Sequence, residues 1–306
     1  MMRTLILRTL ILRTLILMTI SFVAAAQKKA ARVLVFGLDG FSAEGFKAAK
    51  HPNLDRMIAE GALSLTTRPV MPSITLPNWT SHFTGSGPEE HGITNNEWTL
   101  EKHTLQPLET DGEGYYPSVF KILKDNIPAV KIGYYYNWKE LINPINRKYL
   151  DEVSFEEHDN YKQNYQKAYD FMIMNKQSPT LVFLYSVHTD HAGHGFGWMS
   201  KEYITAIEEA DLAIGELLDQ LKRAGIYKDT HFMLITDHGG LNKGHGGITM
   251  NEMQVPWAIT GPQIKKQGLT TVFNSNKNTA IVLAKIFGIA KMPMAWTGTI
   301  PVGIFK

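Results

Sequence analysis

RVLVFGLDG, residues 32–40, decides the fold. Arg32 to Leu38 is a short, almost wholly apolar run without polar alternation, the pattern of a strand covered on both faces. Asp39 and Gly40 close it in a turn. Two later stretches repeat the design: LVFLYS, residues 181–186, leads into VHTDHAGH and Asp190, and HFMLIT, residues 231–236, leads into DHGG and Asp237. A weaker strand covers Val255 to Thr260. Helical patterns lie between and beyond, at Pro52 to Glu60, Lys201 to Ala224 and Thr279 to Phe287. The second carries an apolar stripe of Ile204, Ile207, Leu212, Leu217, Leu218 and Leu221. The third has Asn278 as a cap and Gly288 as a stop. This alternation predicts an α/β sandwich, a central, mostly parallel sheet with helices on both faces.

Composition narrows the class. The 306 residues are 44% apolar, enough for one large core, so residues 27–306 read as a single catalytic domain. Residues 97–160, rich in aromatics such as Tyr115, Tyr116, Tyr134, Tyr135, Tyr136 and Trp138, read as an insertion bordering the site, the aromatics themselves being ordinary core residues by default. Cysteine is absent, which removes disulfides, thiolate ligands and thiol catalysis, so a metal here rests on His and carboxylates. Residues 1–26 contain the triple repeat RTLIL and an apolar run from Thr14 to Ala26. They read as a signal peptide cleaved after Ala24-Ala25-Ala26, with an uncleaved membrane anchor as the rival. An exported protein, periplasmic or secreted, follows from that. Without Arg3, Arg8 and Arg13 the chain has 28 basic and 29 acidic residues, a near balance that gives no basis for binding duplex nucleic acid.

The three strand-end carboxylates converge if the strands are neighbours, because ligands in open α/β sheets bind beyond the carboxyl ends of the strands. Each alone is a turn cap. Histidine partners change that reading: six of the chain's 11 His residues (188, 191, 194, 231, 238 and 245) fall between positions 188 and 245. Asp39, Asp190, His194, Asp237, His238 and His245 form an oxygen and nitrogen donor set suited to Zn²⁺. PSITLPNWTSHFTG, residues 72–85, adds a hydroxyl. Pro77 and the residues to Phe83 predict a helix starting just after Thr75, and helix amino-termini favour anions.

These motifs resemble the nucleotide pyrophosphatase/phosphodiesterase branch of the alkaline phosphatase superfamily. Residues 72–96 are similar to its nucleophile motif, while DHAGHGFG (190–197), TDHGG (236–240) and GHGG (244–247) are similar to its metal motifs, in the same order. The resemblance implies an alkaline-phosphatase-like fold and two divalent metal ions, Zn²⁺ first among them. One ion would be held by Asp39, Thr75, Asp237 and His238, the other by Asp190, His194 and His245. It also implies Thr75 as a nucleophile that becomes phosphorylated, Asn96 as an amide donor to a phosphoryl oxygen, and a small-molecule phosphate ester as substrate. Metal coordination would activate the hydroxyl without a general base. His82, His188 and His191 read as supporting or structural groups, and His91 as structural.

One departure is plain. The branch has a long segment, with a subdomain, between its Asp-His-Gly motif and the last His, whereas Asp237 and His245 are eight positions apart. That spacing is closer to sulfatases, phosphopentomutases and phosphoethanolamine transferases, although the sulfatase nucleophile motif has no counterpart around Thr75. It leaves a phosphomonoesterase, a phosphoethanolamine-type transferase and a catalytically dead binding protein beside the phosphodiesterase. Lys139, Arg147 and Lys243 are the cations a monoesterase would call on.

Overall fold

In the computed structural model, which describes residues 31–306, β1 (Arg32–Leu38) forms where its apolar run predicts, and all seven of its residues are buried. The leader read at residues 1–26 lies outside the described residues. In chain order there follow α1 (Ala43–Ala48), α2 (Pro52–Ile58), β2 (Gly61–Thr67), α3 (Thr75–Thr84), α4 (Pro88–His91) and α5 (Val119–Asn126). Next come β3 (Lys131–Tyr136), β4 (Glu152–Phe155), α6 (Tyr161–Met174), β5 (Thr180–Ser186), α7 (His188–Phe196) and α8 (Lys201–Arg223). The chain ends with β6 (Thr230–Ile235), α9 (Met250–Met253), β7 (Val255–Thr260), β8 (Gly268–Leu269) and α10 (Asn278–Ile286). Among the described residues no helix is long and apolar enough to cross a membrane.

The eight strands make one sheet in the order β4-β3-β5-β1-β6-β7-β2-β8. Only β7 runs against its neighbours, pairing antiparallel with β6 and β2. The sheet is therefore mostly parallel, as the sequence predicts. Register does the rest. Leu38 of β1 is level with Ser186 of β5, and Gly37 with Ile235 of β6. Three adjacent central strands thus end at the same edge, and the chain after each carries its acidic residue there.

Strand alternation divides the core in two. Val33 and Val35 face a cluster with Trp79 and Phe83 of α3, Phe120 of α5 and Val282 of α10. Leu34, Phe36 and Leu38 face the other, built with α1, α2, α6 and α8. Each face of the sheet is thereby closed to water, the condition a two-sided apolar strand requires. On the second face Asp211 of α8 is buried, and it accepts hydrogen bonds from Asn53 N (3.2 Å), Asn53 Nδ2 (2.7 Å) and Leu54 N (2.7 Å). It caps the exposed start of α2 across the helix pair.

Four local readings shift. Leu212 is 61% exposed, since it sits about 200° round the helix from buried Ala210, off the apolar stripe. Asn278 is the first residue of α10, and its side chain accepts from Thr299 N (2.8 Å) instead of capping the helix. Helix α3 begins at Thr75 itself, with Ile74 in extended conformation before it. The aromatic stretch also divides. Within 97–160, α5, β3 and β4 belong to the central layers, and Tyr134, Tyr135 and Tyr136 are core residues of β3, whereas residues 99–118 are irregular.

Candidate active site

Asp39, Asp190 and Asp237 meet at the carboxyl edge of β5, β1 and β6, and all three are buried. One oxygen of Asp39 is held firmly: Oδ2 accepts from Trp79 Nε1 (3.0 Å) and from the Tyr185 hydroxyl (2.6 Å). Asp237 Oδ1 accepts from Gly40 N at 3.1 Å. Gly40 has φ of +65°, and a Cβ there would lie 3.0 Å from Asp190 Oδ1, so only glycine lets the two turns approach this closely.

The other oxygens are bare. Asp39 Oδ1, Asp190 Oδ1 and Asp237 Oδ2 are buried without a hydrogen-bond donor. What faces them is imidazole nitrogen. His238 Nε2 lies 3.1 Å from Asp237 Oδ2 and 3.6 Å from Asp39 Oδ1, while His194 Nε2 and His245 Nε2 lie 3.5 and 3.9 Å from the two oxygens of Asp190. Each ring is turned the same way. The Nδ1 atoms of His238, His194 and His245 bond the carbonyls of Gly239 (2.8 Å), Lys243 (2.9 Å) and Ser73 (3.0 Å). A carbonyl only accepts, so each Nδ1 carries a proton and each ring turns its Nε2 toward the carboxylates.

Carboxylate oxygens and imidazole Nε2 atoms thus converge on one space, the oxygen and nitrogen donor set that a bound cation takes. Two groups have donor atoms within 4.8 Å of one another: Asp190, His194 and His245, and Asp39, Asp190 and His238. The first is the trio expected from the sequence. The second takes Asp190 in place of Thr75 and Asp237, both of which nevertheless reach His238 Nε2, at 3.2 and 3.1 Å. Electrostatics agree with the geometry. Burial pushes Asp39 and Asp237 up to about 7, the Asp237 charge adding to the effect at Asp39, and raises Asp190 well above the carboxylate range. Burial and the neighbouring His238 push His245 down to about 3.

Thr75 is almost wholly buried, and its hydroxyl bonds His238 Nε2 at 3.2 Å and caps nothing. The Leu76 N–H, freed by the start of α3, donates to Asn96 Oδ1 at 2.8 Å. That bond assigns Oδ1 of Asn96 as the acceptor and ties the side chain to the residue after Thr75. The other histidines stay outside. His82 spans Thr279 Oγ1 (2.8 Å) and the carbonyl of Thr236 (3.0 Å), bracing the strand end before Asp237. His188 stacks on Tyr161 with centroids 4.0 Å apart, and His191 pairs with Asp159 at 2.9 Å. His91 bonds the Ser81 hydroxyl of α3 (3.1 Å) and accepts from Ile93 N (3.0 Å), joining its turn to that helix.

The sequence profile described as "Type I phosphodiesterase / nucleotide pyrophosphatase" matches residues 33–254, which contain Asp39, Thr75, Asn96, Asp190, His194, Asp237, His238 and His245. The chain belongs to that family. Similar curated proteins include an uncharacterised pyrophosphatase/phosphodiesterase of Schizosaccharomyces pombe (28% identical over 222 residues, 68% of this chain and 44% of that protein). The mouse ectonucleotide pyrophosphatase/phosphodiesterase family member 1 is 29% identical over 227 residues, 70% of this chain and 24% of that protein. The human bis(5'-adenosyl)-triphosphatase is 27% identical over 222 residues, 68% and 47% of the two chains. The chain thus spans less than half the length of these relatives. Among solved structures, murine ectonucleotide pyrophosphatase/phosphodiesterase 5, an inactive Thr-to-Ala variant in complex with AMP, is similar with a TM-score of 0.72 at 15% identity, over 86% of this chain and 96% of that one. The fold is therefore that of the alkaline phosphatase superfamily's phosphodiesterase branch.

Within this family frame the short route from Asp237 to His245 has a visible cause. The turn Leu241–Gly244 closes on itself through two backbone hydrogen bonds, with Asn242 at φ +55°, and returns His245 to the cluster. Ser73 then ties the loop down, donating from Oγ to Gly247 O (2.7 Å) and accepting from Gly246 N (3.1 Å). Sequence reasoning missed Ser73, Trp79 and Tyr185. The last two sit in segments whose apolar pattern reads as core, and only the bond to Asp39 distinguishes them.

Proposed function

We propose that this chain is an exported, metal-dependent phosphodiester hydrolase that works through a phosphothreonine at Thr75. One ion would be held by Asp39, Thr75, Asp237 and His238, and a second by Asp190, His194 and His245. The carrying observation is the set of three buried, donorless carboxylate oxygens facing the Nε2 atoms of His238 and His245, with His194 Nε2 against the other oxygen of Asp190 and the Thr75 hydroxyl 3.2 Å from His238 Nε2. Oxygen and imidazole donors without sulfur favour Zn²⁺. When bound, the ions would lower the pKa of the Thr75 hydroxyl and offset charge on the leaving oxygen.

Thr75 Oγ1 then attacks phosphorus in line with the departing ester oxygen. The Oγ1–P bond forms as the P–O ester bond breaks, and the leaving alcohol takes up a proton. Asn96 Nδ2 and the Thr75 N–H donate to a non-bridging oxygen, where negative charge builds. The phosphothreonine formed from a diester keeps the second ester group; water attacks its phosphorus from the vacated side, the Oγ1–P bond breaks, Thr75 regains its proton and a phosphomonoester leaves.

Relatives support the substrate class. Their names describe pyrophosphatases, phosphodiesterases and a dinucleoside triphosphatase, and the solved neighbour with AMP is inactive when its threonine is replaced. Among the described residues no Lys or Arg pairs with Asp39, Asp190 or Asp237, and Lys243 Nζ is tied to Gly195 O (2.7 Å). A monoanionic diester suits such a site better than a dianionic monoester. The prefix "ecto" in the relatives' names accords with export.

The test compares hydrolysis of paired aryl phosphate mono- and diesters by purified protein, before chelation, after it, and after Zn²⁺ is returned. Diester hydrolysis should vanish and recover, and enzyme acid-quenched during diester turnover should carry the substrate's remaining ester-substituted phosphoryl group on the Thr75 peptide. Full activity in chelator would sink the metal reading, and a strong monoester preference would replace the substrate class with a phosphomonoesterase.

A further inference from the structure

We infer that Trp198 is the positioning residue that sets the second ligand group, Asp190, His194 and His245, by touching all three ligand-bearing loops at once. The inference rests on the two-ion reading above. Trp198 follows α7 in a sequence where an aromatic reads as ordinary core, and its ring is indeed buried. Its contacts are not those of a core aromatic.

The indole Nε1–H donates to Gly40 O at 2.9 Å, in the turn that carries Asp39. One indole face lies against Gly193, between Asp190 and His194, where a Cβ would sit 2.7 Å from the ring. Gly240, between His238 and His245, would bring a Cβ within 2.2 Å of it. Both loops therefore give up a side chain at the point where the ring passes. The ring also meets His194 edge-on, with centroids 5.2 Å apart, and His245 at 6.0 Å.

The backbone completes the clamp. Trp198 N donates to Asn242 O (2.7 Å), at the tip of the turn that compresses the Asp237–His245 segment. The next residue, Lys243, supplies the carbonyl that orients His194. Trp198 thus joins the turn to α7 and α7 to the β1 edge, so the spacing of His194 and His245 is set through one side chain. Its ring meets the imidazoles of His194 and His245 directly, whereas it reaches the other group only through the Gly40 carbonyl beside Asp39, so its influence falls mainly on the group of Asp190, His194 and His245.

The experiment is a Zn²⁺ titration of chelator-stripped protein against a competing chromophoric chelator, resolved into two sites, for wild type, Trp198→Ala and Trp198→Phe, with circular dichroism on each. Groups that orient ligands change metal affinity by roughly 10–100-fold. Trp198→Ala is expected to lose that much at one site and little at the other. Trp198→Phe keeps a ring against Gly193 and Gly240 without the bond to Gly40, so it should fold even where Ala does not and recover most of that site's affinity. Unchanged affinity at both sites in folded Trp198→Ala overturns the inference, as does an equal loss at both sites in either variant. A wild-type protein that does not take up two equivalents would instead remove the two-ion reading beneath it.

Discussion

Replacing Thr75 by alanine separates chemistry from stability. The hydroxyl makes one recorded contact, at 3.2 Å to His238 Nε2, so its loss costs about 0.5–1.5 kcal/mol of folding stability. The lost γ-methyl adds roughly 1 kcal/mol, and the gain in helix propensity at the first residue of α3 offsets about 0.5 kcal/mol. Net destabilisation should stay below about 2 kcal/mol. The rate should respond on another scale, because removing a nucleophile lowers kcat by 10³-fold or more, over ~4 kcal/mol. Urea denaturation measures the first quantity, and initial rates on an aryl phosphodiester the second. Thr75→Ser keeps the oxygen and should retain substantial turnover. If Thr75→Ala keeps more than a few per cent of wild-type kcat, Thr75 is not the nucleophile. If its rate loss merely tracks a loss of folded protein, the residue is structural and the mechanism fails with it.

Asn96→Ala should lower kcat by about 10²-fold, the scale of one donor to developing negative charge, with thermal stability close to wild type; a change confined to KM would refute its role. Asp39→Asn should leave the metal-free protein at least as stable, since it removes a carboxylate that burial disfavours, while Zn²⁺ affinity drops sharply in the same competition titration. Asp211→Ala should do the reverse, costing about 1–2 kcal/mol with zinc uptake unchanged. Burial holds His82 and His91 down to about 3 and His231 to about 4, so all three stay neutral in the fold while the unfolded chain protonates below about 6.5. Their contribution is therefore complete above that pH and is lost as pH falls towards 4, up to about 2 kcal/mol each at pH 5. In chelated protein, Asp39 and Asp237, whose pKa values are raised to about 7, oppose this slope, so denaturation of the zinc-loaded protein should show the steeper fall from pH 7 to 5.

Much of this was legible because period and position carry it. An apolar run such as Arg32–Leu38 has one way to be buried, and an acid after each of three such strands lands on one edge once they are neighbours. The cluster of acids and histidines was therefore readable as a candidate site before the strand order was known. Leu212 shows what periodicity hides: apolarity put it in the stripe, and helical phase put it in water. Residues 97–160 show another limit, because tyrosines in β3 alternate between two cores and imitate irregular, aromatic-rich sequence. Ser73 and Lys243 act on the ligands through carbonyl oxygens, which any residue possesses, so no side chain announces them.

The comparison of Asp211 with Asp39 bears on why the cluster is a site at all. Both are buried aspartates flanked by apolar core. Asp211 has both oxygens met, by three donors from the start of α2, and is a finished structural group. Asp39 has two donors on Oδ2 and none on Oδ1. The fold can satisfy a buried carboxylate, since it does so elsewhere on the same sheet. At the carboxyl edge it orients one oxygen and leaves the other open, and at Asp237 it repeats the choice with Gly40 N. A buried acceptor left without a donor costs on the order of 1–3 kcal/mol, more when charged, and three sit together here. Packing forces no such convergence. Positive guests held by these oxygens would account for it, and the Nδ1 bonds that aim three imidazole Nε2 atoms into the same space fit such guests.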